Sequence, residues 1–152
     1  MKDLLYYPVR CYQWVRSFYW GNILVAPVIW SVLLPAIVLD VFVSFYHMIC
    51  FPVYGIPKVR RRDYIVIDRG RLKYLKLDEK LSCLFCGYFN GLLAYCSEIA
   101  ARTEQYWCPI KHRRTPKATH ARYPVFLEHG DGERYQERLA RFRAELNKEQ
   151  QD

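Results

Sequence analysis

The feature that most constrains the fold of this chain is a long charge-poor block from Asn22 to Pro57. It contains one acidic residue, Asp40, one histidine, His47, and no lysine or arginine. As one straight α-helix the block would measure about 54 Å, against about 30 Å for the hydrocarbon core of a bilayer. It therefore predicts a membrane segment. The block is also much longer than the apolar part of a cleaved signal peptide, which has about 15 residues at most, so we expect it to remain attached.

The excess length requires the segment to bend or to leave the bilayer, and Pro27, Pro35 and Pro52 are the candidate break points. In one arrangement, residues 23–39 cross the membrane once and the aromatic residues that follow lie in the interface. In the other, the chain reverses at residues 34–35 and returns as a re-entrant hairpin. Basic residues flank both ends of the block, so the positive-inside rule slightly favours the hairpin, with both termini in the cytoplasm.

The two ionisable groups of the block have different expected roles. Asp40 follows an apolar stretch that can already span the membrane, so we interpret it mainly as an interfacial residue. His47 lies seven positions later, which places it on the same face of a helix. A proton or metal relay between them is a less favoured alternative.

The charge of the chain indicates an anionic partner. The net charge is +8 and the pI is near 9.2. A basic cluster, residues 58–62, directly follows the apolar block, where it can attract anionic lipid headgroups. Residues 1–21 combine aromatic and basic side chains and predict an interfacial arm. Such a pattern can also bind single-stranded nucleic acid, but the neighbouring membrane segment favours lipid. We therefore expect an inner-membrane protein with the bulk of its chain in the cytoplasm.

Beyond the block, the pattern predicts a small α+β domain over residues 58–127 and a charged helix over residues 128–152. Residues 63–68 and 71–77 alternate like two short strands around Arg69-Gly70, which predicts a β-hairpin. Residues 91–107 predict a helix that carries a Glu98–Arg102 pair. A narrow apolar stripe on the last helix suits docking to the domain or to a partner helix. The predicted fold class is membrane-anchored and mainly α with a small β-hairpin, after a Pro-broken membrane helix or a re-entrant hairpin.

Three cysteines and a histidine are the clearest chemical signal in the chain. Cys83 and Cys86 form a C-x-x-C pair, and Cys108 and His112 form a C-x-x-x-H pair. Four such donors can hold a tetrahedral zinc ion or, alternatively, thiolate-bound iron. A redox dithiol and inert thiols are the other interpretations of the same residues. The sequence therefore predicts a metal site, with zinc as the favoured ion.

A single site imposes a geometric condition. A helix over residues 91–107 would be about 25 Å long and would hold Cys86 and Cys108 apart. One site therefore requires a shorter or broken helix, with the break near residues 101–103. The second pair has a local rationale of its own, because Pro109 suits the first position of a helix. Cys108 would then be the N-cap, with His112 one turn later on the same face.

The sequence from Cys83 to Tyr88 resembles the metal knuckle of rubredoxins and zinc ribbons, in which a glycine follows the second cysteine. Cys108-Pro109 partly repeats that likeness. The resemblance implies a tetrahedral thiolate site, but the fourth donor here is His112 and not cysteine, which favours zinc over a rubredoxin-type iron. The segment from about Asp40 to Arg114 also resembles an uncharacterised family of bacterial membrane-anchored proteins. That resemblance implies no activity.

No sequence motif indicates an enzyme, because the chain has no nucleophile elbow, P-loop, dinucleotide fingerprint or zincin motif. Two function classes remain. The first is a membrane-anchored, zinc-stabilised interaction or assembly module that binds a membrane-protein partner. The second is a membrane-tethered redox carrier with thiolate-ligated iron. The first is favoured because four protein ligands leave no open coordination position for chemistry.

Overall fold

The computed structural model describes residues 19–150, which form helices joined by irregular segments. The α-helices in this range are α1 (Tyr19–Ser31), α2 (Leu33–Tyr54), α3 (Leu77–Trp107) and α4 (Tyr135–Glu149). Short 3-10 turns occur at Arg61–Asp63, Arg69–Arg71 and Tyr123–Val125. Most of the predicted interfacial arm, residues 1–18, lies outside the described residues. The chain divides into two compact units, Met1–Val38 and Leu39–Asp152, and the division falls inside α2.

The charge-poor block forms one helical stretch, Leu24–Tyr54, that is long and apolar enough to cross a membrane. Only 11% of its most apolar 18-residue stretch is buried. Residues 33–54 are continuous α-helix, so the predicted hairpin with a reversal at residues 34–35 is wrong. Pro35 is compatible with the helix because it lies in the first turn, where backbone N–H groups have no helical partner. The local irregularity is instead at Val32, between α1 and α2.

The predicted β-hairpin over residues 63–77 is also wrong. Within residues 19–150 the structure contains no β-strand, and the β-type pairing is an isolated parallel bridge between Ile110 and Leu127. Residues 61–76 form 3-10 turns and irregular backbone, and α3 begins at Leu77. A two-stranded hairpin is marginal without a further strand or a covering layer. Here the segment gains its contacts by lying against α3 instead.

Gly91 of α3 permits that close approach, because a side chain would not fit there. A Cβ atom at Gly91 would lie 2.7 Å from the carbonyl oxygen of Tyr64 and 2.8 Å from the Cα of Ile65. One turn earlier, a Cβ atom at Gly87 would lie 3.4 Å from the carbonyl oxygen of Val66, an ordinary contact. The i,i+4 spacing puts both glycines on one helix face. That face seats the backbone of residues 64–66.

The core of the second unit lies around the C-terminal half of α3. The predicted apolar stripe of the last helix is confirmed, because Leu139, Phe142 and Leu146 are all buried. Phe142 packs edge-on against Phe126, with ring centroids 6.0 Å apart. On α3 the buried residues are Gly91, Leu92, Tyr95, Ile99, Ala101 and Gln105. This half of α3 is therefore the surface on which the rest of the unit assembles.

Candidate functional site

The four predicted metal ligands do not come together in the structure. Cys83 and Cys86 lie within α3, whereas Cys108 directly follows its last residue. The helix continues without the required break at residues 101–103, so Cys86 and Cys108 are separated by about 33 Å of helix rise. Among residues 19–150, no group of three or more histidine, cysteine or acidic side chains is placed to hold a metal ion. The condition for a single Cys3His site is therefore not met.

The C-x-x-C pair occupies one turn of the exposed half of α3. Cys86 is exposed, and Cys83 is partly buried. The cavity beside Cys83 and Gly87 has a volume of about 10 Å³, which is about the space of one water molecule. The whole knuckle-like stretch from residue 83 to residue 88 is helical, so its likeness to a metal knuckle stays one of sequence.

The predicted helix after Pro109 is not formed. Cys108 is the C-cap of α3 and not an N-cap, and its N–H donates to the carbonyl of Glu104 at 2.8 Å. Residues 109–111 are extended and pair with Leu127, which donates to the carbonyl of Pro109 at 2.9 Å. Although Cys108 is exposed as a residue, partial desolvation of its thiol, together with the negative charge of Glu104, raises the pKa of that thiol. The thiol therefore loses the expected benefit of a helix N-terminus.

Cys108 and His112 face two different cavities. Cys108 lines a groove between α2 and α3 of about 510 Å³, which we call the apolar groove; its lining residues are Phe42, Val43, Tyr46, Cys96, Ile99, Ala100, Thr103, Glu104, Trp107 and Cys108. His112 lines a cavity of about 300 Å³, which we call the polar pocket; its lining residues are Ser97, Ala100, Glu104, His112, Pro116, Ala118, Thr119, His120 and Tyr123. Ala100 and Glu104 line both. The two cavities therefore adjoin along α3.

Glu104 and His120 form the polar pair at the junction of the two cavities. The Nε2 atom of His120 lies 2.9 Å from a carboxylate oxygen of Glu104. The Nδ1 atom of the same ring is buried and has no hydrogen-bond partner among the described residues. A Ser–His–acid triad would need that nitrogen to contact the hydroxyl of Ser97. In the structure that nitrogen has no such contact, and the pair lies in the wall of the polar pocket.

An arginine that the sequence analysis did not single out connects three elements beside the pocket. Arg122 donates to Gln105 at 2.6 Å, to Glu98 at 3.3 Å and to Glu149 of α4 at 2.8 Å. The predicted Glu98–Arg102 pair is confirmed at 2.8 Å. The hydrogen bond from Arg122 lowers the pKa of Glu149, against a smaller opposing effect of burial. This network fixes the basic loop of residues 111–122 against α3 and α4.

Asp40 is the centre of a second network, which lies within the second unit. Arg61 donates to both carboxylate oxygens, Tyr88 donates at 2.8 Å and Ser44 at 3.2 Å. The Asp40 side chain is only 13% exposed, and the two-point contact with Arg61 offsets the desolvation of its charge. Burial and the bond to Asp40 both raise the pKa of the Tyr88 hydroxyl. Asp40 therefore joins α2 to the segment after it and to α3.

His47, seven residues after Asp40 on the same face of α2, also contacts the segment after α2 and α3. Its Nε2 accepts the backbone N–H of Val59 at 2.9 Å, and its Nδ1 lies 3.2 Å from the hydroxyl of Tyr95. Because Nε2 is the acceptor, the proton of a neutral ring lies on Nδ1 and points at Tyr95. The side chain is buried. The expectation that Asp40 and His47 share a helix face is confirmed, since both contact the segment after α2 and α3.

The sequence contains weak signals for the residues that were missed. The Gly87-x-x-x-Gly91 spacing indicates a close helix contact, and the basic stretch from residue 111 to residue 122 contains two histidines. No local pattern joins Arg122 to Glu149 or Asp40 to Arg61, because each pair is more than 20 positions apart.

Comparison with protein-family models, with curated proteins and with solved structures finds no match for this chain.

Proposed function

We propose that the protein is a membrane-anchored interaction module whose basic domain lies on the cytoplasmic face of the inner membrane. The observation that carries the proposal is that an exposed apolar helix runs directly into a basic folded unit. The candidate membrane helix, Leu24–Tyr54, has exposed apolar side chains, and its last residues belong to the basic second unit. Within that unit, Asp40 binds Arg61 and His47 binds the backbone of Val59.

The orientation follows from the charges after α2. Lys58, Arg60, Arg61 and Arg62 follow within eight residues of the helix end. The side chain of Arg62 is 82% exposed, whereas Arg61 is held by Asp40. Positive charge close to a span favours the cytoplasmic side, and each cation near an anionic leaflet contributes about 1 kcal/mol. With a single crossing, the residues before α1 lie on the opposite side.

Metal binding is not needed for this proposal. The contacts that support the second unit are the packing on α3 and the networks of Asp40 and Arg122. A zinc ion held by Cys83, Cys86, Cys108 and His112 stays a prediction, and it would require α3 to open.

Carbonate extraction of membranes tests the anchor. The wild-type protein should stay in the membrane pellet through high salt and carbonate. The double variant Leu34→Arg/Val38→Arg places two charges on the apolar helix, at a cost of about 5–7 kcal/mol together, and should shift to the supernatant. The matched control Val66→Arg/Ile67→Arg changes exposed apolar residues outside the helix and should pellet like the wild type. Recovery of the wild type in the carbonate supernatant would contradict the proposal.

Reporter fusions test the topology. A reporter at Asp152 should be cytoplasmic, and one at Met1 should lie on the opposite side, because the helix over residues 33–54 does not reverse. A cytoplasmic location of both reporters would contradict the single crossing and support a re-entrant membrane hairpin.

A further inference from the structure

We infer that the apolar groove and the polar pocket together bind one bilayer phospholipid with an anionic headgroup. The acyl chain lies in the groove and the headgroup phosphate lies at the basic rim of the pocket. The inference rests on the proposed function, because a membrane anchor is what brings the groove to the lipid.

The groove has the composition that an acyl chain requires. One wall is formed by Phe42, Val43 and Tyr46 of the helix that can cross a membrane, and the other is formed by α3. The polar atoms of the groove are largely satisfied within the protein: Thr103 donates to the carbonyl of Ile99 at 2.8 Å and accepts from the hydroxyl of Tyr46 at 3.1 Å. An apolar surface without free polar groups gains free energy when water leaves it. A chain from the adjacent bilayer can fill it without crossing water.

The pocket has the charge that an anionic headgroup requires. Its lining includes the hydroxyls of Ser97 and Thr119 and the rings of His112 and His120. Arg113 and Lys117 directly adjoin lining residues in the chain, and Arg114 is two positions from one. All three are exposed, and no acidic side chain pairs with them among the described residues. Lys111, by contrast, is paired with Glu128 at 2.5 Å. Three exposed cations within five residues of the segment that lines the pocket attract a phosphate.

Glu104 is compatible with this ligand. Its carboxylate is engaged by His120 at 2.9 Å, so it does not present an unpaired negative charge to the headgroup. Its position at the junction of the two cavities also suits an acceptor for a headgroup or glycerol hydroxyl. Because Ala100 and Glu104 line both cavities, the apolar groove and the polar pocket together form one site for an amphiphile.

Native cysteines provide the assay. Cys108 is exposed and lines the groove, whereas Cys86 is exposed at the other half of α3 and lines neither cavity. The full-length protein, purified in detergent, is treated with maleimide before and after incorporation into nanodiscs of phosphatidylglycerol or of phosphatidylcholine, at constant pH. If lipid fills about nine-tenths of the sites, alkylation of Cys108 in phosphatidylglycerol slows about tenfold relative to phosphatidylcholine. The rate at Cys86 should be the same in both.

A matched pair of variants separates occupancy from folding. Ala100→Phe places a ring at the junction and should abolish the difference between the two lipids at Cys108. Ala94→Phe adds the same ring at another exposed position of α3 and should leave the difference unchanged. Equal helicity and equal alkylation of Cys86 in both variants show that the fold is retained.

A third variant tests the headgroup. Arg113→Gln/Arg114→Gln/Lys117→Gln should reduce the tenfold preference for phosphatidylglycerol to about twofold or less, because the acyl chain is common to both lipids. The inference is overturned if Cys108 reacts equally in both lipids, or if Ala100→Phe behaves like Ala94→Phe. The inference is also overturned if phosphatidylglycerol alone does not protect Cys108 from alkylation and a second membrane protein is needed for protection. These outcomes are independent of carbonate extraction, so a failure here leaves the anchor standing.

Discussion

The two halves of α3 have opposite roles, although they belong to one uninterrupted helix. The N-terminal half, residues 77–90, carries the C-x-x-C pair and exposes Leu77, Leu81 and Leu84. The C-terminal half, residues 91–107, buries Leu92 and Ile99 and borders both cavities. The C-x-x-C pair, which is the sequence motif that most resembles a binding site, therefore lies on the half of α3 that few other elements contact. The polar residues that assemble a site lie where α2, the basic loop and α4 all meet the helix.

The largest expected effect concerns the network on the buried half. Arg122→Met should lower the free energy of unfolding by about 3 kcal/mol, because it leaves the buried Gln105 and the partly buried Glu149 without their arginine, while Glu98 keeps only Arg102. The matched control is Arg141→Met on α4, where the arginine is 68% exposed and pairs with Glu145. That change should cost about 0.5 kcal/mol or less. Chemical unfolding in detergent, followed by circular dichroism, measures both; equal costs would contradict the difference between buried and exposed networks.

The same network predicts a dependence on acid. The pKa of Glu149 is lowered from its ordinary 4.5 by the hydrogen bond from Arg122. A carboxyl with a lowered folded-state pKa stabilises the fold above its unfolded pKa, and this contribution is lost as the pH falls through the folded pKa. The wild type should therefore lose stability below about pH 4.5 more steeply than Glu149→Gln. Parallel stability curves for the two proteins between pH 6 and pH 3 would refute this contribution.

The boundary between the two halves can be tested with a pair of glycine substitutions. Gly91→Ala should destabilise the protein by about 2 kcal/mol, because the new methyl group would overlap the backbone of residues 64–65. Gly87→Ala meets only an ordinary contact and gains helix propensity, so it should stabilise by up to about 1 kcal/mol. Thermal unfolding of both variants decides the sign. The same sign for both would show that residues 64–66 do not lie against α3 as described.

Thiol chemistry should report the environment of Cys108 at the C-terminal end of α3. Partial desolvation and the charge of Glu104 raise the pKa of Cys108, so its alkylation rate should reach half its maximum at a pH above that of an ordinary thiol. Glu104→Gln removes one of these causes and should move that midpoint down by about one unit or less. Alkylation rates between pH 7 and pH 10 in one detergent measure the midpoint. If the midpoint is unchanged in Glu104→Gln, desolvation alone raises the pKa of the Cys108 thiol.

The smallest expected effect concerns the C-x-x-C pair. Cys83→Ser/Cys86→Ser should change the free energy of unfolding by less than about 0.5 kcal/mol, because both residues lie on the exposed half of α3. Elemental analysis of the same samples tests the metal hypothesis. If bound zinc and stability are both lost in this variant and also in Cys108→Ser, the four ligands converge in solution and α3 is broken there.

Much of the fold was predictable where a local pattern repeats along the chain. The apolar stripe on α4 and the Glu98–Arg102 pair follow from helical periodicity, and both are confirmed. The β-hairpin was wrong because alternation over a few residues does not show what the segment pairs with. The metal site was predicted from spacing alone, and spacing does not report whether Gly87 to Trp107 bends. In the structure that stretch stays helical, which separates the two ligand pairs.

The sequence by itself determined that the chain contains a helix able to cross a membrane, because hydrophobicity and length act locally and need no partner. It also determined the positive charge beside that helix. Tertiary structure alone decided which polar groups meet: Asp40 with Arg61 and Tyr88, and Glu104 with His120. These residues are 16 to 48 positions apart, and only the packing of α2 and of the basic loop on α3 brings them within hydrogen-bond distance. The physical reason is that hydrogen bonds depend on distance in space, which local periodicity does not specify.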